Sequence, residues 1–194
     1  MNFLDYQDEF QDQSRTEAET ELIMKMRKLL EQRIYWTRLQ MFALLQRRGD
    51  SEHVVDHLRE NTMEIAEIYK KFYPEEPINE IALLIFEYVR LGWEYLVLRR
   101  DGQEYVASDT ERRWYIVAND IAEKLHAINP YYDIEDLRII LRTYVDLSVN
   151  EINIRLGGGQ QTIAEKIGLL FRHVITTADY LAEGIITQFP YAFT

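Results

Sequence analysis

Apolar residues recur every three or four positions through most of the chain, in six blocks divided by proline, glycine or capping residues. In the first block Leu22, Ile23, Met26, Leu29, Leu30, Ile34, Trp36, Leu39, Met41, Phe42 and Leu45 carry that pattern from about 19 to 48 without Pro or Gly. This predicts a long amphipathic helix closed by Gly49. A second predicted helix runs from about 51 to 73 and stops at Pro74, whose ring clashes with a preceding helical turn and which has no N–H to donate. Pro77 suits the first turn of a third, about 77 to 100, ended by Asp101-Gly102. Ser108 and Glu111 have the spacing of a capping box and predict a fourth helix from there to about 128; Asp133 caps a fifth, to about 155. Gly157, Gly158 and Gly159 break the chain. Thr162 with Glu165 then opens a sixth helix to about 188, with Pro190 as its stop. No segment alternates apolar and polar residues between turn signals, so the pattern predicts an all-α chain of six helices.

One stretch occurs three times. Ile65-Ala66-Glu67 leads to Pro74, Ile121-Ala122-Glu123 to Pro130, and Leu181-Ala182-Glu183 to Pro190, with Pro seven residues after Glu in each. Laying Pro74 on Pro130 aligns the next helices without a gap, placing Tyr88 on Tyr144, Val89 on Val145 and Gly102 on Gly158. Self-similarity of this kind marks a repeat architecture. The unit is a helical hairpin, at about 18–74, 78–130 and 134–190, within one helical domain, 18–194, behind an acidic arm of residues 1–17 that carries several aromatics. A hairpin alone cannot bury its apolar stripe, so the three copies are expected to pack as a bundle or a short array. Ala66, Ala122 and Ala182 are then the expected close-approach points, and Pro74, Pro130 and Pro190 the hairpin boundaries.

Composition narrows the partners. The 194 residues are 47% hydrophobic, enough for one cored domain, and carry a formal net charge of −11. That balance argues against nucleic acid or an anionic membrane as the main partner, since both are held by a cationic face. There is no cysteine, which removes disulfides, thiolate metal sites and cysteine nucleophiles together. No leader-like segment opens the chain, and no apolar run approaches the roughly 20 residues of a membrane span. The expected location is cytoplasmic, or within a virion or other particle if the source is viral.

Few residues suggest chemistry. Glu123 and His126 have the Glu-x-x-His spacing of two-metal carboxylate bundles, but the equivalent of His126 is Lys70 in one sister hairpin and Ile186 in the other, so the second motif such a site needs is missing. His53 and His57 share a helical face, as a surface zinc or nickel would require; a solvated charged face gives the same spacing. His173, in an otherwise apolar helix, reads as a hydrogen-bonded core histidine. The repeated Glu67, Glu123 and Glu183 are expected to face solvent or cap neighbouring helices, because buried carboxylates need partners. No catalytic residue, resident metal or cofactor is assigned. If the repeats enclose ligand space, it is expected near Tyr88, Tyr144 and His173.

At Trp36-Thr37-Arg38, Arg113-Trp114-Tyr115, Ile128-Asn129-Pro130-Tyr131-Tyr132, and from Ala178-Asp179-Tyr180 to Gln188-Phe189-Pro190, the chain resembles a family of uncharacterised small helical proteins of spore-forming bacteria and some large DNA viruses. Its members often carry unsupported enzyme names. The resemblance covers about residues 20–193 and implies a fold rather than an activity. It also implies a histidine in each hairpin where this chain has Arg33, Tyr88 and Tyr144, and an aspartate at Asn119. The chain lacks all of these, which takes any shared histidine cluster away and leaves the packing pattern whole. A scaffold kept without such residues points to a non-enzymatic structural or interaction module, a component of a larger assembly such as a particle or coat, with protein partners or self-association through residues 1–17. The alternative expectation is a ligand-binding or metal-binding helical bundle, or an enzyme built on one.

Overall fold

The computed structural model describes residues 15–47, 52–158 and 160–194, the side chains of 160–162 excepted. Most of the expected N-terminal arm, together with Gly49, Gly159 and the Thr162 side chain, lies outside the described residues. The chain forms α1 (Glu17–Leu45), α2 (Glu52–Tyr69), α3 (Glu75–Arg100), α4 (Glu104–Ile128), α5 (Ile134–Leu156) and α6 (Gln160–Gln188), then a 3₁₀ turn over Pro190–Phe193. No strand occurs among the described residues.

Local chemistry sets the helix ends. At α1 the Thr16 hydroxyl accepts the Glu19 N–H (3.2 Å) and the Glu19 carboxylate accepts the Thr16 N–H (2.9 Å), a capping box that satisfies two orphan donors. Asp133 caps α5 as expected, its carboxylate accepting the N–H groups of Glu135 and Asp136 at 2.8 and 3.0 Å. Two boundaries differ from the sequence expectation. α2 ends at Tyr69 rather than near 73, because the Tyr69 carbonyl takes the N–H groups of both Phe72 and Tyr73 (2.9 Å each) and tightens the chain into a turn before Pro74. α4 begins at Glu104 rather than Ser108. Gly102, at φ +73°, reverses the chain, and Ala107, fully buried in a cluster with Met41, Tyr95 and Leu96, draws an extra turn into the helix and leaves Ser108 exposed inside it.

Consecutive helices pack side by side, and α6 returns against α1, so the six helices form a closed bundle rather than an open array. The first helices of the hairpins also meet across the middle: α1 touches α3, α3 touches α5, and Arg38 of α1 pairs with Glu151 of α5. At one end the residue before each signature proline closes the junction. Asn129, fully buried, donates through Nδ2 to the Tyr73 hydroxyl (2.9 Å) and the Gly184 carbonyl (2.8 Å), while the Tyr73 ring stands edge-on to Phe189 at 5.3 Å. The three prolines themselves are exposed.

Ala122 and Ala182 are fully buried and Ala66 nearly so. The tightest approaches, however, fall on two glycines. A Cβ at Gly92 would stand 2.6 Å from the Trp114 ring, and one at Gly184 would overlap the ring of Tyr132. No described helix is long and apolar enough to cross a membrane.

Candidate functional site

Where the three hairpins meet, they leave a cavity of about 120 Å³. Its wall draws on five helices, with Arg33 from α1, Thr62 and Ala66 from α2, Tyr88 from α3, Ile121 from α4 and Tyr144 from α5, and on α6 through His173. Tyr88, Tyr144 and His173, expected near any ligand space, are thus brought together, with the first two rings 5.5 Å apart. Arg33, Tyr88 and Tyr144 each come from the first helix of a different hairpin, so one residue per repeat converges on one space.

The wall is almost wholly apolar, because its polar side chains turn to partners elsewhere. The Tyr88 hydroxyl donates to the Leu141 carbonyl (2.5 Å), Thr177 to the His173 carbonyl (2.8 Å), and His173 through Nε2 to the Ile140 carbonyl (2.9 Å). Thr62 donates to the Leu58 carbonyl (2.8 Å), and the Tyr69 and Tyr132 hydroxyls share a hydrogen bond (3.3 Å). Burial pushes the Tyr88 hydroxyl well above its ordinary pKa and His173 below 6.5, so both are neutral near pH 7.

Arg33 is the exception. It is 8% exposed, and burial pushes its guanidinium down to about 10, partly offset by Tyr144. It therefore remains a cation at neutral pH. Nη2 donates to Thr62 Oγ1 at 2.9 Å, whereas Nε is buried with no hydrogen-bond partner, and no acidic side chain among the described residues lines the cavity. A buried charge normally needs a counter-charge, since stripping its water costs several kcal/mol.

Five residues along α1, Arg38 shows the ordinary solution. Its Nε and Nη2 reach Glu151 Oε2 (3.1 and 2.6 Å), and Arg155 presents the same edge to Glu151 Oε1 (2.9 and 2.7 Å). Glu151 is 1% exposed and carries both cations. A smaller space of about 10 Å³, the size of one water, lies beside this triad against Trp93, Trp114 and Ser148.

The other sequence candidates lie apart from the cavity. His53 and His57 are exposed on α2; His57 bonds Glu60 (3.2 Å) and stacks on Trp36 with ring centres 4.3 Å apart. Glu123 pairs with Arg138 (3.1 Å), and His126 donates to the Tyr132 carbonyl (2.7 Å). Among the described residues no three His, Asp or Glu side chains converge as a metal-ligand group. The repeated glutamates diverge. Glu67 and Glu123 are exposed, whereas Glu183 is half-buried against Arg15, and burial raises its pKa despite that partner.

Sequence reasoning names Arg33 only as a position where the resemblance implies a histidine, although a second signal is there. Leu22, Met26, Leu29 and Arg33 follow one another at helical spacing, so the arginine interrupts an apolar stripe where an aliphatic residue is expected. No family model matches the chain, and no curated protein and no solved structure is significantly similar to it.

Proposed function

We propose that the chain is a non-enzymatic binding protein that holds a small, largely apolar molecule between its three hairpins. The observation that carries this reading is the 120 Å³ cavity itself, walled by all three repeats. A well-packed core ordinarily leaves few voids larger than a water molecule, so a space of that size stands out. Its size is also useful, because an apolar cavity of roughly 150 Å³ takes up benzene. Polar groups already engaged with backbone carbonyls offer no nucleophile or free base, which favours binding over turnover.

Calorimetric titration with toluene tests this. Saturable one-to-one binding and a raised melting temperature are expected, both abolished by Ala66→Leu, which places a larger side chain on the cavity wall. Absence of binding to the folded wild-type chain sinks the reading.

A structural or interaction role is the second reading. Large side chains that the fold leaves outside favour it: Tyr105, Leu83 and Tyr191 are 90%, 73% and 91% exposed. Native mass spectrometry with and without residues 1–17 tests it, with a higher assembly that needs those residues as the expected result and a monomer in both cases as the contrary one.

A further inference from the structure

Resting on the cavity as a ligand site, we propose that its ligand is a small monocarboxylate, with a hydrocarbon body about the size of benzene in the cavity and its carboxylate on the Nε–Nη2 edge of Arg33. Three observations point to this chemistry. Thr62, Tyr69, Tyr88, His173 and Thr177 are already hydrogen-bonded within the fold, and Arg33 brings the wall its charge. A ligand can therefore be apolar over most of its surface and needs one polar end.

Arg33 fixes the sign of that end. Its Nη2 donates to neutral Thr62 and its Nε is buried without an acceptor, and among the described residues no carboxylate pairs with the guanidinium. The fold has already desolvated this cation, leaving the ligand to lose only its own water. One buried cation balances one negative charge. A phosphate dianion would carry an unmatched charge into the bundle, so a monoanion fits.

The chain also displays what such an edge takes. Arg38 and Arg155 each direct Nε and Nη2 to one oxygen of the Glu151 carboxylate, at 2.6–3.1 Å, so each oxygen takes one guanidinium edge. Arg33 has the same two nitrogens, with no carboxylate on them among the described residues. A ligand carboxylate would supply there what Glu151 supplies to its two arginines.

The test titrates the full-length chain with sodium benzoate and, separately, with toluene as the neutral body without the charge. Wild type is expected to bind both, competitively. Arg33→Met should weaken benzoate by roughly 10- to 100-fold, the usual worth of a charge-assisted hydrogen bond, and leave toluene within about threefold. Arg33→Lys, which keeps the charge but loses the two-nitrogen edge, should fall between. In wild type, benzoate should move a single arginine Nε–H NMR signal, the one absent from Arg33→Met; this readout holds even if a variant folds poorly. Toluene bound with benzoate excluded, or benzoate bound equally by Arg33→Met, overturns the carboxylate assignment while the cavity stands as a binding site. Failure of both probes to bind the folded wild type overturns the site and the assignment together.

Discussion

Arg33 and Arg38 share one helix and the same depth of burial, yet they meet opposite surroundings. Arg38 faces Glu151, which also holds Arg155, so two cations and one anion form a closed set within the core. Arg33 faces Thr62, aromatic rings and hydrocarbon. Burying a charge is costly, and at Arg38 the fold answers the cost with a carboxylate. At Arg33 it leaves the charge unanswered beside an open space. Each guanidinium keeps one buried nitrogen without a partner, Nη1 in Arg38 and Nε in Arg33, so what separates them is the counter-charge, and it is the uncompensated charge that the proposed ligand would answer.

Breaking the paired side should have the largest effect. Glu151→Ala strands two buried arginines and is expected to cost about 3–5 kcal/mol, measured by urea unfolding. On the unpaired side the sign should reverse. Arg33→Met removes a buried charge that has no partner, and in the absence of ligand it should raise stability by about 1–4 kcal/mol. A loss on the scale of Glu151→Ala would erase the distinction between the two arginines.

Packing supplies a sharper version of the same contrast. Ala122→Leu enters a filled core and should cost about 1–3 kcal/mol, whereas Ala66→Leu has the cavity to expand into and should be close to neutral. Equal melting temperatures for the two variants would mean that the cavity cannot take a side chain.

The smallest expected effect is on pH. Burial holds the folded-state pKa of His173 below 6.5, so as pH falls beneath 6.5 the unfolded chain takes up that proton first and stability declines. His173→Gln should flatten that part of the pH profile, followed by thermal unfolding at a series of pH values.

Much of the fold is legible in the sequence because helical periodicity and the punctuation of Pro, Gly and Asp133 act locally. The Thr16–Glu19 capping box is equally local, although the periodicity alone does not single it out. Ser108–Glu111 has the same spacing and misleads, because burial of Ala107 against α1 and α3 is a tertiary effect that extends the helix past its local signal. The repeated alanines stand out as close-approach points, but the tightest contacts, Gly92 on Trp114 and Gly184 on Tyr132, depend on which ring lands opposite and have no local signature. The cavity divides the same way. An arginine on an apolar stripe can be read from spacing, whereas the lack of a carboxylate opposite it is a fact about five other helices.

The meeting of Tyr73, Asn129 and Phe189, one from each hairpin, has a thermodynamic consequence. In an open repeat array the end units have a single neighbour, and the chain can fray unit by unit. Here every hairpin has two neighbours, and losing any one of them opens both remaining faces and the central space at once. Unfolding should therefore be a single concerted transition, with the central cavity lost at the same denaturant concentration as the helices. Closure of α6 on α1 leaves no end hairpin from which fraying could begin.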